Sequence, residues 1–415
     1  MTLEPRVLAL VSLAAFLQGG VAHAAEAAPT PPPPTAESIL SALSAIPIKF
    51  YGVLKPTFVL SNGVESFTQP NASAITAAVN PVMVEDAGAA NSTFQVAQSR
   101  LGLTLGEGLA VKGQLEVDFI HFDIASPTVG AYPRLRLASV EWEPLKGHKL
   151  FLGQGWDVFS PLNPHTNSIV SVLLQAGNAG FLRQQVAWTS TLGGVEVVAA
   201  LGLPTANNGS AVGNLEYGLV PTAVARLSYR HDKMIWVGTS WLATAHRITK
   251  PADQERRRVT LMGNVFLDVS AGPVNFKAEA YAGQNGANAG LLTLSTGRYD
   301  RDVRELGGYL SVRQSLGDWH AVLLSAGAAT VLDRNDVVPG YVPATATAKA
   351  ARNGVGMDHN ALVRAAYMFS PLKWVSFFVE PFVAYTRHHL APADEARFMS
   401  DRVGMGLESG AMLKF

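Results

Sequence analysis

The chain of 415 residues contains no cysteine, so disulfides do not hold it together and thiol chemistry is excluded. It is also poor in charge: 15% of residues are charged and 48% are hydrophobic. A water-soluble protein of this length carries a more charged surface, so the surface faces something other than water. There is no net field either. The 32 basic and 32 acidic residues cancel, which removes the electrostatic footprint of a nucleic-acid binder. Beyond the first residues, no stretch approaches the ~18 consecutive apolar residues of a spanning helix. That excludes a helical membrane protein.

What is present begins with an export signal. Arg6 precedes the apolar run "VLALVSLAAFL" (7–17), and Ala22-His23-Ala24 supplies the small-x-small cleavage pattern. Residues 1–24 are therefore predicted to be a signal peptide. Residues 25–47 follow as a leader whose "PPPP" (31–34) is a stiff, extended spacer.

From Ile48 the hydrophobic period becomes two. Sixteen segments of about 9 to 15 residues suit tilted strands crossing a bilayer. They run over 48–60, 93–106, 109–124, 132–143, 148–156, 181–191, 194–204, 217–231, 233–247, 257–271, 274–284, 303–315, 319–333, 359–370, 374–388 and 401–415. Their connections alternate. Short turns such as "GEG" (106–108), "LGG" (192–194) and "LGD" (316–318) are separated by long loops, among them 61–92, 125–131, 157–180, 285–302 and 334–358. Short periplasmic turns, long external loops and an even strand number are the signature of an outer-membrane β-barrel. The predicted fold is all-β, a transmembrane antiparallel barrel of about sixteen strands over 48–415.

Parity separates the two faces. In 109–119 the charges fall on Lys112, Glu116 and Asp118, while Leu109, Val111, Leu115, Val117 and Phe119 take the other parity. A lysine or arginine facing lipid at mid-depth costs about 2–4 kcal/mol, so one face is barred to charge. Inward parity then holds Arg100, Arg134, Arg136, Arg183, Arg226, Arg230, Arg313 and Arg364, with Glu116, Asp118, Glu279, Glu380 and Glu408 among them. Arg134 and Arg136 share parity with Val140 and Trp142, which predicts a bulge near Ala138 or Ser139. Segment 319–333 is apolar on both faces, which suits a position under an inward loop or against a neighbouring subunit. Trp142, Trp188, Trp236, Trp319 and Trp374 fall near short turns, as in an interfacial aromatic belt.

A row of fixed guanidinium charges favours anionic solutes; the competing reading is that these arginines neutralise inward acids and brace the wall. The stretch 157–180 contains "SIVSVLL", unsuited to a wet external loop, and is predicted to fold inward as a constriction. Gln154, Trp156, Asp157, Asn163 and His165 would then sit near the narrow part.

The motifs "SRLGLTL" (99–105), "QLEVDF" (114–119), "PRLRLASVEW" (133–142), "LFLGQGWDVFSP" (150–161) and "LRQQVAW" (182–188) together resemble the DcaP-like porin family. The resemblance spans 93–190 and the terminal strand. It implies a sixteen-stranded trimeric outer-membrane channel for small, often anionic, solutes. It also implies Arg100, Arg134, Arg136, Gln154, Trp156 and Arg183 at the pore wall. The leader departs from the family in being proline-rich rather than a long coiled coil, and the second half carries no matching motif.

The expected surroundings are the outer-membrane lipid bilayer and its lipopolysaccharide, and the expected cargo is small solutes passing by diffusion. No catalytic group, metal or cofactor is expected. The alternative is a barrel enzyme or a non-conducting adhesin. No Ser-His pair of suitable parity marks an enzyme, since His121, His320 and His388 are isolated. "RRR" (256–258) reads as a solvated rim. The closing "VGMGLESGAMLKF" pairs with "IKFYGVLKPTF" to seal the barrel, and Phe415 resembles the terminal aromatic read by the outer-membrane assembly machinery.

Overall fold

A computed structural model describes residues 46–62, 90–96, 98–125, 128–168, 172–202, 221–249, 255–294, 301–337, 356–390 and 400–415. The predicted signal peptide and most of the leader lie outside these residues, as do most external loops. No helix among the described residues is long and apolar enough to cross a membrane.

Sixteen antiparallel strands close on themselves. β1 (Ile48–Leu54 and Thr57–Asn62) and β2 (Ala90–Gln95 and Arg100–Leu105) are each broken once, at the same level. β3 (Val111–Ala125), β4 (Thr128–Leu145), β5 (His148–Trp156) and β6 (Leu182–Leu192) follow. Next come β7 (Val195–Gly202), β8 (Thr222–His231), β9 (Ile235–Thr249) and β10 (Glu255–Ala271). The last six are β11 (Val274–Gln284), β12 (Arg304–Leu316), β13 (His320–Val331), β14 (Met357–Leu372), β15 (Val375–His388) and β16 (Asp401–Lys414). Each strand pairs with the next, and β16 returns to β1 through Val53↔Lys414 and Met405↔Asn62. No backbone edge is left along the seam, as a lipid-embedded sheet requires. Where 125–131 was expected as a loop, the β3–β4 ladder continues to Ala125↔Thr128.

The short turns lie where the sequence puts them. Gly193 and Gly194 both take positive φ (55° and 89°), the pair of conformations a tight hairpin turn demands and only glycine adopts without strain. Alternation then sorts the wall. Leu101, Leu115, Val186, Val237, Leu310, Val363, Phe377 and Met405 are exposed on the outer side, while their neighbours Glu116, Gln185, Ser311, Arg364 and Ser376 are buried within. Trp142, Trp188, Trp319 and Trp374 are exposed. Trp236 is not one of them: it turns inward and meets Phe266 edge-on.

The bulge occurs slightly earlier than expected. Glu116 faces Leu137 and Val117 faces Leu135, which makes Arg136 the extra residue. One inserted residue reverses the parity of everything beyond it. That is why Arg134 and Arg136 point inward while Val140 and Trp142 point out.

Candidate pore site

The connection after β5 turns into the barrel. Its described residues lie against the inward face of strand after strand. Asn264 donates to the Phe159 carbonyl (2.9 Å), as does the Ser240 hydroxyl. On β11, Glu279 accepts from the Ser160 hydroxyl (2.7 Å) and the Leu162 N–H (3.1 Å). On β12 and β13, Ser311 accepts from the His165 N–H and Ser325 donates to the His165 carbonyl, both at 2.7 Å. On β15, Glu380 accepts from the Thr166 hydroxyl and from the Asn167 N–H (2.6 Å). At the break in β1, Lys55 donates to the carbonyls of Asn167 (2.6 Å) and Ser168 (3.2 Å).

Apolar packing follows the same track. Leu162, Leu173 and Ala176 are buried with Val59, Phe266, Tyr309, Leu362, Phe382 and Ala384. Val158, Phe159 and Ala179 are buried with Ala187, Val198, Ala200, Val224, Leu242, Met262 and Tyr281. All those wall residues have inward parity, so much of the lumen is filled by a packed core. Met262 and Phe266 on β10 lie beneath the loop, whereas on β13 only Ser325 and Gly327 meet it. Ala321 and Leu323 pack with Ala366, Met368 and Phe378, and Ala329 and Val331 with Leu294 and Met357. At Gly327 a Cβ would stand 2.1 Å from the Ala176 carbonyl, and at Gly177 (φ 91°) one would stand 2.0 Å from the Gly308 carbonyl. Only glycine permits loop and wall to approach so closely.

The predicted pore residues divide into two groups. Arg183 and Asp157 form a buried ion pair at 2.6 Å. Arg364 is 2% exposed and holds Glu380 (3.0 Å) and Glu408 (2.8 Å) beneath the loop tip. Arg136 pairs with buried Glu116 and approaches Asp118 (3.7 Å). These groups neutralise one another and brace the wall. Arg134 instead reaches both oxygens of Asp118 (2.9 and 2.6 Å) while remaining partly exposed, and Arg100 stands opposite Asp118 on β2. Arg226 binds Glu196 (2.8 Å), partly exposed.

Gln154 is placed differently from expectation. It stands opposite Gln184, on the parity of exposed Leu152 and Val186. Its amide donates to the carbonyls of Leu135 (2.8 Å) and Arg136 (3.0 Å), where the β4–β5 ladder has ended at Ala138. It is a wall group rather than a lumen group. Trp156 is half-buried, edge-on to Phe181 and under the Arg136 guanidinium. Arg258, expected on a solvated rim, is 2% exposed and donates to the Arg301 carbonyl (2.7 Å).

The wall left uncovered by the loop carries the water-accessible charges. Lys112 and Glu141 (3.6 Å), Lys149 and Glu141 (3.4 Å), and Arg226 and Glu196 are its ion pairs. Arg230, Asp268 and Arg313 are further half-exposed or exposed inward residues, and half-buried Lys277 donates to the loop at the Asn163 carbonyl (3.1 Å). Among the described strand residues of inward parity that keep some exposure, basic groups (Lys49, Arg100, Lys112, Arg134, Lys149, Arg226, Arg230, Lys277, Arg313, Lys414) outnumber acids (Glu141, Glu143, Glu196, Asp268).

Two features escaped the sequence. The connection 285–302, expected outside, has Asn285, Asn288, Ala289, Leu291, Thr293 and Leu294 buried. Its "GLLTL" is the same kind of signal as "SIVSVLL". A Ser-His contact also exists on the outer wall, His148 Nδ1 to Ser190 Oγ at 3.1 Å. Among the described residues no carboxylate orients that imidazole, and Ser190 Oγ also accepts from the Trp188 indole (3.0 Å). The contact therefore lacks the third group that activates a nucleophile.

No protein-family model and no curated protein matches the chain. Solved structures do. The anion-selective porin from Comamonas acidovorans superposes with a TM-score of 0.52 at 9% identity, over 89% of this chain and all of that one (100%). Salmonella typhi OmpF, in complex with daunomycin, gives 0.52 at 10% identity over 89% of this chain and 97% of that one. Pseudomonas putida OprB at high pH gives 0.51 at 10% identity over 92% and 96%. At such identities the likeness is one of fold: a closed sixteen-stranded barrel of the bacterial outer-membrane type.

Proposed function

We propose that the chain is a passive outer-membrane channel for small hydrophilic solutes, with a preference for anions. The observation that carries the preference is the excess of accessible basic groups on the uncovered inner wall. The loop adds no opposing field, because Asp157 is the sole acid in 157–180 and is held by Arg183. The Arg100, Arg134 and Arg136 cluster outnumbers Glu116 and Asp118 by one charge, and Arg100 and Arg134 are its partly exposed members. Fixed charge at such a passage concentrates counter-ions and sets selectivity. The resemblance to DcaP-like porins supports the same reading through these arginines, and extends it to a homotrimer set in phospholipid and lipopolysaccharide.

Planar-bilayer recording in a salt gradient tests it. The reversal potential should report anion preference, and combined Arg134→Ala, Arg230→Ala and Arg313→Ala should reduce the anion-to-cation permeability ratio by a factor of roughly two or more. An unchanged ratio would show that these groups do not set selectivity. The packed core within the lumen favours one second reading, a plugged barrel that does not conduct. Absence of single-channel current from correctly folded protein would establish that reading instead.

A further inference from the structure

We propose that residues 285–294, in the connection between β11 and β12, form a second pore loop, clamped onto the first, and that the two together fix the bore. This rests on the channel reading of the same lumen. Three polar contacts join them directly, and Arg183 of β6 bridges them. The Leu292 N–H donates to the Ala179 carbonyl at 2.8 Å. The Gln175 amide reaches the carbonyls of Thr293 (3.5 Å) and Leu294 (3.4 Å). Arg183 joins both loops with one guanidinium: Nε holds Asp157 (2.6 Å) and Nη2 donates to the Ala289 carbonyl (2.9 Å). Ala289 and Leu291 are buried in the same cluster as Phe159 and Ala179.

The second loop is closed at its neck by Asn285. Its N–H donates to the Val303 carbonyl (2.8 Å), and its side-chain oxygen accepts from the Val303 N–H (3.0 Å). Its amide nitrogen donates to the Val259 carbonyl (2.8 Å) and to Asp302 (2.9 Å). Asn285 adopts left-handed backbone (φ 59°), which asparagine tolerates better than other residues with a side chain. Further along, Glu305 accepts from the Leu294 N–H at 3.3 Å.

The first loop is thus held between the barrel wall and the second. Neither can swing away without exposing the shared apolar surface and costing the Arg183 guanidinium one of its two loop partners. On this proposal the passage runs along β2–β4, where neither loop makes a contact among the described residues. A single inward loop would leave that width free to fluctuate; two interlocked loops hold it constant.

The chain's lack of cysteine makes the test clean. In full-length protein refolded in detergent, Ala179→Cys with Leu292→Cys should form a disulfide on mild oxidation, detected by peptide mass mapping. Failure to form it would overturn the proposed contact, whether or not the barrel conducts. In bilayers, the oxidised pair should conduct like wild type. Replacing Gly286–Thr293 by a short Gly-Ser link should raise single-channel conductance at least twofold and admit larger sugars in liposome swelling. Wild-type current with an unaltered conductance and size limit in that variant would sink the bore proposal while leaving the channel reading intact. If the replacement does not fold, Leu292→Asp is read in the same way. Absent wild-type current would defeat the channel reading itself, and with it the bore; only the loop contact would then be judged by the cross-link.

Discussion

At the scale of single residues, inward arginines serve two purposes that burial distinguishes. Arg364 lies among Glu380, Glu408 and Lys55, over the Phe382 ring at 4.7 Å. Removing its charge leaves two buried carboxylates against one ammonium. Arg364→Met should therefore destabilise the barrel by about 3–5 kcal/mol, the cost of breaking a buried ionic cluster. Arg134→Ala removes a partly solvated partner and should cost about 1 kcal/mol or less. Urea titration followed by the gel-mobility difference between folded and unfolded protein measures both. Equal midpoints for the two variants would mean that Arg364 is not a structural group. The sequence placed both arginines on the inner face by parity alone, and that was sound. Parity cannot tell a lumen position that meets water from one beneath a loop, because the cover arrives from residues some 200 positions away. Gln154 escaped for a different reason: the ladder that defines its face ends at Ala138, and periodicity does not reveal where a partner strand stops.

At the scale of elements, the first loop is held by wall carboxylates and hydroxyls that meet its backbone, so its docking is sensitive to any charge that appears beneath it. His165 is such a group. Burial, then the nearby Lys277, and then Arg313 lower its pKa to about 4, against the favourable contact with Asn275. The direction follows from linkage. The docked imidazole stays neutral down to about pH 4, whereas a released loop would take up a proton near the ordinary value of 6.5. Docking is unaffected by this group above about pH 6.5 and is progressively disfavoured as pH falls from there towards 4. Open-channel noise should rise on acidification through that window, and His165→Gln should remove a substantial part of the rise. A variant with wild-type acid response would assign the effect to other groups. "SIVSVLL" carries the expectation of an inward course for the first loop, whereas "GLLTL" is shorter and lies in a connection that the loop sorting assigns to the outside. What decided its course was the Asn285 neck, a set of contacts with residues up to 26 positions away.

At the scale of the whole molecule, closure follows from one constraint, that no backbone edge can remain in hydrocarbon. The last residue is the sharpest case. The Gly52 N–H donates to the Phe415 carbonyl (3.0 Å), and the Phe415 N–H donates to the Gly52 carbonyl (3.2 Å). A Cβ at Gly52 would stand 2.5 Å from the Phe415 ring, so the aromatic lies directly over the glycine. Its exposed remainder, 57% of the residue, faces outward at the rim. The bonds give Phe415 the role of a rung of the seam; the sequence expectation that it is a handle for the assembly machinery makes a different demand. The rung lies at the rim, where water satisfies freed groups, so losing it should cost about 1–3 kcal/mol for two backbone bonds. The remaining β1–β16 pairs, from Val53↔Lys414 to Met405↔Asn62, stay intact. Deleting Phe415 should therefore leave refolding yield in detergent nearly unchanged, while outer-membrane yield in cells falls several-fold. Substitution by Tyr, which keeps the ring and the rung, should restore most of the cellular yield. Equal losses in detergent and in cells would make the seam, rather than recognition, the reason the strand runs to an aromatic at its last position.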